Sequence, residues 1–205
     1  MSQYWQDRIA SALAEVTKKN IAQIEKQMVK YYRRASMNCI ASFQLTYNNL
    51  LQAKAEGREP TPADLYKLDT YWQMQAKVTE ELNKLGYKQI NMLNDNFIKH
   101  YEKIYNSYAV KGAATFNTFD KKVAQQIINQ IWCADGKSWS ARVWTNIAAL
   151  QDTLNEHLIT IVAGGKSARD LKNLLQDAFG VSYGRADAIV RTEVAHIQTQ
   201  AAKQR

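Results

Sequence analysis

Glycine and proline are scarce in this chain, at eight and two of 205 residues. Both residues punctuate turns, so their scarcity argues against a sheet of many short strands and for long uninterrupted helices. The two cysteines, Cys39 and Cys133, are too few for a disulfide framework and stand at no zinc-type spacing. The three histidines, His100, His157 and His196, are isolated from one another. His100 with Glu102, and Glu156 with His157, are neighbours that do not share a helix face. No catalytic residue, no metal ligand and no cofactor is therefore expected. No run approaches ~18 consecutive apolar residues, so no segment is expected to span a membrane. Met1 to Ala14 contains Asp7 and no long apolar run, so no signal peptide is expected. Internal repeats and low-complexity tracts are also missing.

What the chain has in excess is positive charge. Its net charge is +8 and its pI is near 9.4. Residues 1–60 carry nine basic and five acidic groups, residues 61–136 nine and eight, and residues 137–205 nine and six. The surplus sits at the two ends, which fits contact with DNA or an acidic partner. The plainer reading of the same charge is a basic soluble protein.

From Ser2 to Glu56 there is no glycine or proline. Ile9, Leu13, Val16, Ile24, Met28, Tyr31, Ala35, Cys39, Phe43, Tyr47 and Leu50 recur mostly at three- and four-residue steps. That predicts one very long helix, or a hairpin whose turn lacks the usual punctuation. Within it Lys26, Lys30, Arg33 and Arg34, with Tyr31 and Tyr32 between them, form a basic and aromatic cluster. Lysine and arginine neutralise phosphates and tyrosines stack on unpaired bases, so these residues are the candidate nucleic-acid contact. A solvated helix face with tyrosines packed at its edge is the alternative. Gly57-Arg58-Glu59-Pro60 reads as a linker, and Thr61 with Pro62 as the start of a second helix. That helix passes Leu65, Leu68, Tyr71, Trp72, Val78 and Leu82 and is expected to stop at Gly86. A third, from Tyr87, passes Ile90, Leu93, Phe97, Tyr101, Ile104, Tyr105 and Tyr108 before Gly112. A fourth, from Thr118 to Trp132, is lined by Val123, Ile127, Ile128 and Ile131. Asp135-Gly136 makes a turn.

After that turn Val143, Ile147, Leu150, Leu154, Leu158 and Ile161 stack on one helix face, ended by Gly164-Gly165. Gly164-Gly165-Lys166-Ser167 looks like a phosphate-binding loop, but that pattern needs a glycine where Thr160 stands and a strand before it. The preceding residues have helical period, which argues against it. Ser167 and Asp170 form a capping box for a helix that Gly180 is expected to end. Ser182 then caps a last helix lined by Ala186, Ile189, Val190, Val194, Ile197 and Ala201. On that wheel Glu193 points inward, and Arg191 lies beside Asp187. A carboxylate in an apolar face needs a partner. The donors at hand are the first N–H groups of the Ser167 helix, Arg142 and Arg169.

The segment from residue 139 resembles the C-terminal half of the head-morphogenesis domain of tailed phages, the Mu F-like minor capsid protein family. Trp139-Ser140-Ala141-Arg142-Val143-Trp144, Gly165-Lys166-Ser167-Ala168-Arg169-Asp170-Leu171 and Ile189-Val190-Arg191-Thr192-Glu193-Val194-Ala195-His196-Ile197 carry the likeness. It covers about a third of the chain tightly. The resemblance implies a non-enzymatic minor head protein that docks on the portal or the major capsid protein, in the head interior near the portal. It would touch packaged double-stranded DNA, pass through the host cytoplasm during assembly, and could self-associate. Trp139, Arg142, Trp144, Ser167, Asp170, Arg191, Thr192 and Glu193 are its motif residues. Longer members continue into a cysteine-bearing tail. Here the helical pattern runs to the last residue, as expected of a truncated, processed or shortened member.

The sequence therefore predicts an all-α protein with an extended N-terminal helical region followed by a compact C-terminal helical domain. The expected divisions are residues 1–57, 58–136 and 137–205. The rival functions are a helical nucleic-acid-binding protein unrelated to virions, and the delivery domain of a toxin or transferase.

Overall fold

The computed structural model describes residues 3–57, 69–109, 119–164 and 167–204. The linker at residues 58–60, the Thr61-Pro62 helix start, Leu65, Leu68, Gly112, Thr118, Gly165 and Lys166 lie outside that set. So do the side chains of Ile9, Leu50, Tyr108, Leu158 and Ile161.

The fold is all-α: two long N-terminal helices are followed by a smaller helical region, with no strand among the described residues. The elements are α1 (Gln3–Ala55), α2 (Asp69–Ala109), α3 (Lys121–Ile128), α4 (Trp139–Gly164) and α5 (Ala168–Lys203). The choice between one long N-terminal helix and a hairpin falls to the single helix. Without a glycine or proline in α1, nothing interrupts its i to i−4 ladder. Gly57, at φ +81°, follows its end in the left-handed conformation that glycine adopts without penalty.

Three expected boundaries are not observed. α2 runs through Gly86 and α5 runs through both Gly180 and Ser182. A single mid-helix glycine costs only about 1 kcal/mol against alanine, which packing easily outweighs. Ser182 is buried and caps nothing; its carbonyl accepts a hydrogen bond from Asn146 Nδ2 at 2.8 Å. The helix expected over Thr118 to Trp132 is shorter. Asp120 caps it, its carboxylate accepting from Lys122 N at 2.7 Å and Val123 N at 3.4 Å, and Asn129 closes it. Ala124 and Ile128 face inward, while Val123 and Ile131 are exposed. The capping box at the start of α5 is present as expected. Asp170 N donates to Ser167 Oγ at 3.3 Å, and Ser167 N donates back to Asp170 Oδ2 at 3.1 Å.

The chain forms two compact units, each drawing on distant parts of the sequence. One takes α1 up to Met28, α2 from Gln89, α3, α4 as far as Val143, and α5 from Ala186. Its core holds Ile24, Met28, Leu93, Phe97, Tyr101, Ile104, Ile128, Val143, Val190, Val194 and Ile197. The other takes α1 from Val29, α2 up to Lys88, α4 from Trp144 and α5 up to Arg185. Cys39, Phe43, Val78, Leu82, Leu85, Leu150, Leu154, Leu171 and Leu175 fill it. Each such side chain contributes about 1.5–3 kcal/mol by leaving water.

Candidate functional site: the Glu193 cluster

Glu193 is 1 % exposed on the inward face of α5. Ala186, Val190, Val194 and Ile197 share that face, so the helical period itself carries the carboxylate inside. Of the donors available in sequence, Arg142 is the one used. Its NH1 lies 3.2 Å from Glu193 Oε1, while Trp132 Nε1 donates to Oε2 at 3.1 Å.

The rest of the guanidinium faces the loop between α3 and α4. Nε donates to Asp135 Oδ2 at 3.0 Å, and NH2 reaches Asp135 Oδ1 and the Lys137 carbonyl, each at 3.3 Å. Asp135 also accepts from Lys137 N at 3.1 Å. The expected Asp135-Gly136 turn forms, with Gly136 at φ +65° and its N–H on the Cys133 carbonyl at 3.0 Å. Trp132, just before this turn, lies flat on the His196 imidazole, with centroids 4.0 Å apart and planes 5° apart. Glu193, Arg142, Trp132 and His196 thus pin the α3–α4 loop to α4 and α5 within one unit.

The electrostatics follow from burial. Loss of hydration pushes the Glu193 carboxyl above its ordinary value, Trp132 and Arg142 oppose the shift, and the like charge of Asp135 adds to it. Asp135 is displaced the opposite way, first by the Lys137 N–H and then by Arg142. Burial works against the Arg142 charge, but interaction with Cys133 and Asp135 more than offsets it. Burial, then Lys203, lowers the His196 imidazole.

Chemically, this is a closed hydrogen-bonded knot with no open face on Glu193 for a substrate. Among the described residues, no group of three or more His, Cys, Asp or Glu side chains could hold a metal ion. No described helix is long and apolar enough to cross a membrane. No family model, no curated protein and no solved structure matches this chain.

The other motif residues have separate tasks. Arg191 donates to Asp187 Oδ2 at 2.7 Å and pairs with Glu25 of α1. Thr192 is exposed. Trp139 is buried edge-on against Phe97, centroids 5.4 Å apart, in the unit that holds Glu193. Trp144 belongs to the other unit, edge-on to Tyr87 at 5.0 Å. Ser167 and Asp170 form the capping box at the start of α5.

In the basic cluster, Lys26, Lys30, Arg33 and Arg34 are exposed and Tyr31 is half-buried. Tyr32 is buried, its hydroxyl accepting from Asn146 Nδ2 at 3.3 Å, so it is closed to a base. Lys26 belongs to the first unit's stretch of α1, and Lys30, Tyr31, Arg33 and Arg34 to the second's. Sequence reasoning missed Trp132 and His196 as members of the Glu193 cluster. The nearby Asp135-Gly136 turn is a local signal that the chain bends there, but no local pattern reports that the loop folds onto α5.

Proposed function

We propose that this chain is a non-enzymatic minor structural protein of a tailed-phage head. It docks on the portal or the inner capsid wall and touches packaged DNA there, after passing through the host cytoplasm during assembly. One observation carries the reading: the closing motif that resembles the head-morphogenesis domain serves to hold the fold together. Glu193 is sealed by Trp132 and Arg142, and Arg191 ties α5 to α1 through Glu25. A motif employed this way makes a rigid docking module and leaves no carboxylate open to a substrate. The exposed Lys26, Lys30, Arg33 and Arg34 support the DNA contact, since none has an ion-pair partner among the described residues.

Mass spectrometry of purified particles tests the reading. The chain is expected to co-purify with procapsids and mature heads at low copy. Its absence from particles, with abundance in the free cytoplasm, would overturn the proposal.

A further inference from the structure

The second unit carries a surface feature that its core does not require. Between α1 and α5 runs an open groove of about 270 Å³, with Val29, Tyr32 and Arg33 on one wall and Phe179, Gly180 and Tyr183 on the other. Val29 is 49 % exposed, and Met37, further along α1, is 62 % exposed. Gly180 sits in ordinary helical backbone, and nothing lies within 4 Å of where its Cβ would be. Gly184, one turn on, is equally open. Mid-helix glycine weakens a helix relative to alanine, and no neighbour among the described residues calls for either one. Arg33, on the facing wall, has no carboxylate or hydrogen-bond partner among the described residues.

We infer that this groove is the docking site for an acidic amphipathic segment of a partner protein. An apolar side chain of the segment packs against Val29, Phe179 and Tyr183, with its backbone close to Gly180. One of its carboxylates pairs with Arg33. Two other occupants fit less well. A second copy would bring Lys30, Arg33 and Arg34 of both chains together, with the exposed Asp177 as the nearby answering acid on α5. A nucleic-acid backbone would leave the apolar floor formed by Val29, Phe179 and Tyr183 unfilled. Lys30 and Arg34 lie about 60° and 100° further round α1 from Arg33, at ~100° per residue, and stay open to phosphate. The inference goes beyond the virion role, since it holds for any partner that carries such a segment.

The probe is a fluorescent synthetic helix of about 20 residues with leucine and phenylalanine on one face and glutamates flanking it, titrated into the full chain. Saturable one-to-one binding is expected, weakened at least tenfold by Gly180→Trp and by Arg33→Glu. A version with lysine in place of each glutamate should not bind. Gly180→Trp projects into open space and should keep its circular dichroism and cooperative melting. Gly180→Ala should melt about 2–4 °C higher than wild type while still binding. If the tryptophan variant does not fold, Arg33→Glu decides alone. Failure of the acidic probe to saturate, or binding indifferent to both substitutions, overturns the inference. So does a DNA duplex bound with the same sensitivity to Gly180→Trp, or a wild-type dimer that this substitution splits in sedimentation.

Discussion

The Trp144 indole fills the space that any side chain on Gly86 would need. A Cβ at residue 86 would lie 2.5 Å from Trp144 Cζ3 and 2.7 Å from Cη2. Gly86 therefore keeps α2 bare where α4 presents a large ring, and Tyr87 closes the contact edge-on at 78°. Gly86→Ala should destabilise the protein by about 1–3 kcal/mol, although alanine is the better helix former. Gly180→Ala, with open space around it, should stabilise. Urea unfolding of the two variants separates the cases; a stable Gly86→Ala protein would mean that Trp144 is free to move aside.

Removing one partner of the Glu193 knot leaves the other buried without it. Arg142→Ala is expected to cost about 3 kcal/mol, because Glu193 is then buried with only Trp132 as donor. Glu193→Ala should cost roughly 1–3 kcal/mol, with Glu193→Gln milder. The double variant should cost less than the sum, since both substitutions break the same pair. Additive losses in a double-mutant cycle would show that the two residues act separately.

His100 and Glu193 give the fold opposite dependences on pH. His100 is 0 % exposed, neither ring nitrogen has a hydrogen-bond partner among the described residues, and burial, then Lys103, lowers its pKa from 6.5 to about 4. The unfolded chain takes that proton first, so stability is full above pH 6.5 and falls as pH drops toward 4, by up to about 3 kcal/mol. Glu193 is raised, so its contribution is full below its ordinary 4.5 and is lost as pH rises through its folded value. His100→Leu should flatten the slope between pH 4 and 6.5. Glu193→Gln should gain on the wild type as pH rises from 4.5. Chemical denaturation across that range reads both, and a reversed sign in either would refute the assigned cause.

If the exposed cations of α1 meet phosphates, log affinity for duplex DNA falls linearly with log salt. Neutralising Lys30, Arg33 and Arg34 together should reduce that slope by about three units in the isolated chain. An unchanged slope would make this an ordinary solvated face.

Much of the fold was legible because it is written at short range. The three- and four-residue recurrence in α1, the Ser167–Asp170 capping box and the Asp135-Gly136 turn each depend on residues within a turn or two. The inward position of Glu193 is equally local, being a phase on one helix. Glycine as a helix stop was the misleading signal. Gly86 and Gly180 are read alike in sequence, yet one is required by a ring from α4 and the other faces open space. Nothing within a few residues of either distinguishes them.

Short-range pattern is enough to make this protein helical, to set which faces are apolar, and to put a carboxylate on one of them. Packing between helices sets what that carboxylate meets: Arg142, 51 residues away, and Trp132, 61 away. It alone joined Arg191 to Glu25, 166 residues apart, and turned Tyr32 inward to Asn146. The physical reason is range. Helical hydrogen bonds and side-chain phase are set by neighbours three and four residues apart, whereas a buried charge or ring takes its partner from whichever helix face packs against it.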